Sequence, residues 1–173
     1  VRGILRVYEL LIHKIRTGNG SYLFANGGKV AAVTAIDGFP GYYYLDFDED
    51  HGLEVGDILR AQKFTGLTGR FAGTYQSNCY VNQVDTTKRV IVIMVSGNNP
   101  VAGYEYVRLG NSSDTSRQGG VYITADDSNA PYIDIYDGVT SHATFGAAAK
   151  TKGRLGKLTG ITSASGEYGL IAG

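Results

Sequence analysis

Hydrophobic positions in this chain mostly alternate with polar ones, and they seldom recur at helical spacing. Val121-Tyr-Ile-Thr-Ala125 and Tyr132-Ile-Asp-Ile-Tyr136 flank the polar turn Asp126-Asp-Ser-Asn129. Side chains of a strand point to opposite faces in turn. Val121, Ile123 and Ala125 therefore fall on one face, and Tyr122 and Thr124 on the other. A third run, Tyr104-Glu-Tyr-Val-Arg-Leu109, precedes them across a loop rich in Ser, Asp and Thr. Similar runs lie upstream at Ser21–Phe24, Lys29–Ile36, Tyr42–Phe47, Glu54 to about Phe64, Tyr75–Val84 and Arg89–Val95. Gly, Asn and Asp turns punctuate them. Arg89–Val95 is apolar on both faces and reads as the most buried strand. Residues 54–109 read as a meander of four strands. The predicted class is mainly β, with serial short antiparallel strands forming a small barrel or curled sheet.

Two segments depart from this pattern. Ile4, Val7, Tyr8, Leu11 and Ile15 fit one face of a helix, ended by Thr17-Gly-Asn-Gly20. The same stretch also fits a strand, but a short helix over about 4–16 is the expectation. Beyond Gly138 the chain is rich in glycine and poor in large apolar side chains, so one copy buries little. This segment is predicted to lie extended against neighbouring chains. The organisation expected is an N-terminal helix/strand segment (1–36), a central β domain (37–138) and a Gly-rich assembly segment (139–173).

Composition supports the strand reading. Twenty-five glycines suit tight turns, and thirteen tyrosines suit strands with one wet face. Sixteen basic and sixteen acidic residues balance to zero formal charge, which argues against nucleic acid as the main partner. Cys79 stands alone, so no internal disulfide framework exists, and its mid-strand position suits small core filler. The longest apolar run, Val90–Val95, has the length of a strand, not of a membrane span, and no signal peptide is visible. The chain begins on Val1 and ends on Tyr168-Gly-Leu-Ile-Ala-Gly173, the pattern expected of a piece of a longer protein.

Candidate chemistry is sparse. Asp46-Phe-Asp48-Glu-Asp50-His-Gly52, with Asp57 further on, approaches a calcium loop, because a hard cation wants several oxygens from one tight turn. Gly52 falls one position late, and Asp57 replaces the bidentate Glu, so a solvated hairpin loop is the plainer reading. Asp126, Asp127, Asp134 and Asp137 offer carboxylates for sugar chemistry, yet Asp126-Asp-Ser-Asn129 and Asp137-Gly138 read as turns. No Gly-x-Ser-x-Gly elbow is present, and His13, His51 and His142 sit in unrelated contexts. Gly153-Arg-Leu-Gly156-Lys157 fails the spacing of a phosphate loop. Asn19 and Asn111 head Asn-x-Ser sequons, which matter only on a eukaryotic secretory route. Tyr42, Tyr43, Tyr44 and Tyr104 are candidates for stacking on sugars, against cross-strand packing as the simpler role. No catalytic set, cofactor or metal is predicted.

Several blocks carry a resemblance. Val55-Gly-Asp-Ile-Leu-Arg-Ala-Gln62, Val107-Arg-Leu-Gly-Asn111, Arg117-Gln-Gly119 and Tyr132-Ile-Asp-Ile-Tyr-Asp-Gly138 resemble bacteriophage tail structural proteins. These are tail-tip or baseplate-associated proteins of phages and prophages of gut bacteria. Arg2–Arg16, Asn19-Gly20 and Gly156-Lys-Leu-Thr-Gly-Ile161 look similar to the same family. The resemblance implies a virion component, a homotrimer in many cases, that contacts other tail proteins or a host-surface glycan during extracellular adsorption. It carries no active-site residue to this chain, and the balanced charge and short apolar runs predict neither a nucleic-acid nor a membrane partner. A secreted or surface carbohydrate-binding β module is the alternative, and a glycan-degrading enzyme is third.

Overall fold

The computed structural model describes residues 16–18, 21–67, 70–125, 127, 129–161 and 166–173. Twelve strands dominate the described chain: β1 (Arg16–Gly18), β2 (Ser21–Phe24), β3 (Gly27–Ala35), β4 (Tyr42–Phe47), β5 (Asp57–Leu67), β6 (Arg70–Thr86), β7 (Arg89–Gly97), β8 (Glu105–Asn111), β9 (Gly120–Thr124), β10 (Tyr132–Tyr136), β11 (Thr151–Lys157) and β12 (Tyr168–Ala172). The helix expected over 4–16 lies outside the described residues except for Arg16, which opens β1. Helix among the described residues is limited to short 3₁₀ turns at Thr115–Arg117, His142–Thr144 and Ala148–Lys150. None of these is long and apolar enough to cross a membrane.

The strands form two layers. β3-β4-β7-β6-β5-β8 close into a barrel, and β1-β2-β9-β10-β11-β12 form a six-stranded sheet. All pairings are antiparallel. The expected meander holds for β5, β6 and β7. β8 then returns beside β5, which makes a Greek key, and closure needs β3 and β4 from upstream. β3 belongs to the barrel, while β9 and β10 join β11 and β12 in the sheet.

Alternation fills the barrel. Leu45 and Phe47 of β4, Leu59 and Ala61 of β5, Cys79 and Val81 of β6, and Val90 and Val92 of β7 point inward with Tyr106 of β8. β7 is not buried on both faces, because Ile91 and Ile93 lie half-buried on the outside. Gly27 is required where β3 meets β8. Its φ is +145°, and a Cβ there would stand 2.0 Å from the Tyr106 carbonyl oxygen.

A second apolar cluster joins barrel to sheet. Ile58 of β5 and Leu109 of β8 point outward and meet Leu23 of β2, Tyr136 of β10 and Val139. Backbone bonds reinforce this seam: the Asn111 N–H donates to Val139 O at 3.2 Å, and the Val139 N–H to Gln118 O at 3.1 Å. Gly110 permits the close approach, since a Cβ there would lie 2.2 Å from Val139 O.

The C-terminal segment forms two strands that pair within this chain. β11 takes up β10, and β12 takes up β11. Glycine does not prevent this. Gly156 sits opposite Tyr132, where a Cβ would lie 2.7 Å from the Tyr132 Cα. The missing side chain lets the strand approach.

Candidate assembly face

The alternation of β10 decides the character of the sheet. Tyr132, Asp134 and Tyr136 face the barrel and are buried, whereas Ile133 and Ile135 face away and are exposed. A half-buried strand ordinarily turns its aliphatics inward and its carboxylate outward. Here the carboxylate is inside.

Asp134 is accommodated by a partner on the neighbouring strand. Arg154 of β11 stands opposite it in register. Arg154 Nε donates to Asp134 Oδ1 at 2.6 Å, and Nη2 donates to Oδ2 at 2.7 Å. Both residues are about 95% buried, at 5% and 4% exposure. The guanidinium also lies over the Tyr132 ring, 3.6 Å from its centroid, and Nη1 donates to Thr159 O at 3.2 Å. The Tyr132 hydroxyl donates to Asp127 Oδ2 at 2.7 Å. Burial, then Asp127, pushes the Tyr132 phenol well above its ordinary range. Tyr122 and Tyr136 complete the inner face, each meeting Phe145 edge-on with ring centroids 5.3 and 5.4 Å apart.

The outer face is aliphatic across the strands. Phe24 lies opposite Val121, Val121 opposite Ile135, Ile123 opposite Ile133, Ile133 opposite Leu155, and Leu155 opposite Leu170. Ile135, Leu155, Tyr168 and Leu170 are 57%, 54%, 66% and 76% exposed. Ile123, Pro131, Ile133, Leu155 and Tyr168 line a shallow groove of about 420 Å³ on this face. Lys157 reaches the same face only at its end, opposite Tyr168.

The calcium-loop candidates do not converge. Asp57 is buried and accepts from Arg117 Nε at 3.0 Å, Arg117 Nη2 at 2.6 Å and Asn111 Nδ2 at 2.9 Å. The Glu54 N–H donates to the same carboxylate at 2.8 Å. Asp46 pairs with Arg89 at 2.5 Å, Asp48 stands 3.9 Å from Lys29, and Asp50 is exposed. Among the described residues, no three His, Cys, Asp or Glu side chains stand close enough together to hold a metal ion.

The tyrosine candidates divide between two sides of one barrel wall. Tyr43 and Tyr104 pack against the barrel core, and Tyr104 meets the Tyr75 ring at 4.5 Å. Tyr42 and Tyr44 face outward, Tyr42 against Phe39 at 5.9 Å and Tyr44 beneath the Arg89 guanidinium at 5.4 Å. They therefore make no common platform. The Asp127, Asp134 and Asp137 carboxylates also serve different places: a tyrosine bond, the buried ion pair and an exposed turn. Comparison of the chain with protein-family models, curated proteins and solved structures finds no match.

Sequence reasoning did not single out the exposed Ile133, Ile135, Leu155 and Leu170 as members of a candidate assembly face. The available signal was the run Tyr132-Ile-Asp-Ile-Tyr136, which is apolar on both faces once tyrosine is counted. Such a strand asks for cover on both sides.

Proposed function

We propose that this chain is a structural part of a bacteriophage or prophage tail, working in the virion as a homo-oligomer, most simply a trimer. The observation that carries the reading is the aliphatic outer face of the sheet. A surface of that kind is suited to being covered by protein, and among the described residues its neighbourhood offers no convergent set of acids, bases or nucleophiles. The blocks around Val55–Gln62 and Tyr132–Gly138 support the same reading by their likeness to tail proteins. The role is assembly, and contact with other tail proteins or a host-surface glycan follows from position in the particle.

A carbohydrate-binding module is the second reading. Phe39, 61% exposed, and its neighbour Tyr42 favour it. The division of the four tyrosines between the inside and outside of the barrel weighs against it.

Virion composition tests the first reading. Particles purified from an induced culture of the source strain should contain this sequence in fixed stoichiometry with the tail proteins. Its absence from intact particles, together with specific retention on a glycan array, would transfer the assignment to the second reading.

A further inference from the structure

We infer that the outer face of the β1-β2-β9-β10-β11-β12 sheet packs against the same face of further copies of this chain. The inference rests on the assembly reading above and names its surface and its partner.

Area is the first argument. Phe24, Ile133, Ile135, Leu155, Tyr168 and Leu170 are between 38% and 76% exposed. At roughly 150–250 Å² for an aromatic side chain in full and somewhat less for Ile and Leu, they leave on the order of 600 Å² uncovered. The largest apolar patch of an ordinary monomer is about 300–600 Å². A standard interface takes about 800 Å² from each partner. One such face therefore lies at the upper end of what a monomer shows, and two together come within the lower range of a standard interface.

Shape and charge select the partner. Aliphatic side chains in register across β9, β10, β11 and β12 make a continuous layer. Another pleated layer, roughly 10 Å away, is the surface that interlocks with it. Among the described residues the centre of the face has no charged group to select a partner of opposite charge, while Lys157 lies at its end opposite Tyr168. A copy of the same chain brings the same uncharged centre, and cyclic symmetry brings the faces together without a second gene product. The inner face cannot take this role, because Asp134 and Arg154 are already buried there against the barrel side.

The test is the solution mass of the whole 173-residue chain at micromolar concentration. The expected mass is an integral multiple, two or more, of 18.5 kDa. Ile135→Glu with Leu170→Glu should bring it to one chain with an unchanged far-ultraviolet spectrum. Should that pair fail to fold, Ile135→Thr with Leu170→Thr keeps strand propensity while removing apolar area, and should raise the dissociation constant at least tenfold. Thr34→Glu on the exposed side of β3 should leave the mass unchanged. A monomeric wild-type chain overturns the inference, and so does an oligomer that survives the folded variants unaltered. A monomer that is nonetheless found in purified tails overturns only the choice of partner. Absence from tails together with a face-dependent oligomer overturns the tail assignment and leaves the interface standing.

Discussion

Asp134 and Arg154 meet across β10 and β11 in a two-pronged ion pair, 2.6 and 2.7 Å long, directly beneath the exposed Ile133 and Ile135. The pair faces the barrel side of the sheet, so one side of the sheet is tied by charge and the other is left apolar. Removing one partner leaves the other charge buried without compensation. Such a loss costs about 3–5 kcal/mol, whereas replacing both partners by apolar groups of similar volume is often neutral.

Asp134→Ala and Arg154→Ala are each expected to destabilise the chain by about 3–5 kcal/mol in urea unfolding. Asp134→Leu combined with Arg154→Met should recover most of that loss. A double variant as unstable as the sum of the singles would mean that the pair itself holds the sheet, and that its charge is not simply tolerated.

The strands were legible where alternation met a clear turn. Leu45 and Phe47 flank Asp46 on β4, and both pack in the barrel core. The hairpin of β9 and β10 was equally plain around its Asp-rich turn. Barrel closure was not legible, because pairing Gly27 of β3 with Val107 of β8 joins residues far apart in sequence. The C-terminal strands were hidden by Gly153, Gly156 and Gly169, whose absent side chains carry no periodic signal although they permit close strands. The inward turn of Asp134 could not be read from β10 itself. It depends on Arg154, which sits on a strand that composition did not announce.

Calcium should leave the stability of this chain unchanged. Both oxygens of Asp57 are occupied by Arg117, Asn111 and the Glu54 N–H, so a cation would have to displace them. Melting in millimolar calcium and in chelator is expected to give the same midpoint. Asp57→Ala should be destabilising, because it removes the carboxylate that holds Arg117 Nε and Nη2 and leaves the guanidinium only the exposed Glu54 carboxylate at 3.1 Å and the Gly52 carbonyl oxygen at 3.0 Å. A calcium-dependent rise in midpoint that disappears in Asp48→Ala would contradict this account.

Cys79 should be inert in the folded chain. It lines the barrel interior, and burial pushes its thiol up to about 11 while the Ser77 hydroxyl, 3.6 Å away, only partly opposes that. The reactive species is the thiolate, which is scarce at pH 8. A thiol reagent is expected to modify none of the folded protein within an hour and one group per chain in denaturant. Rapid native labelling would show that the barrel opens.

Acid should loosen the seam at His142. Its Nε2 faces the Leu59 carbonyl oxygen at 2.9 Å, so that nitrogen carries the proton and donates. Nδ1 is buried without a hydrogen-bond partner. The Tyr80 ring meets the imidazole edge-on at 5.3 Å, and the nearby Arg60 guanidinium repels a second positive charge. Burial foremost, then Arg60, holds the imidazole below its ordinary value, with the Leu59 bond opposing. The folded state therefore resists a proton that the unfolded chain accepts. The contribution to stability is complete above the unfolded value, near pH 6.5, and is lost as pH falls through the folded value, by at most about 1.4 kcal/mol per pH unit. His142→Gln keeps a donor for Leu59 O and cannot titrate. Its urea midpoint should fall less between pH 7.5 and pH 5 than that of the wild type. His51 and the carboxylates are present in both proteins, so the difference between the two profiles isolates His142. Parallel profiles would show that the imidazole gains an acceptor on protonation, and the His142–Leu59 contact would then not be acid-sensitive.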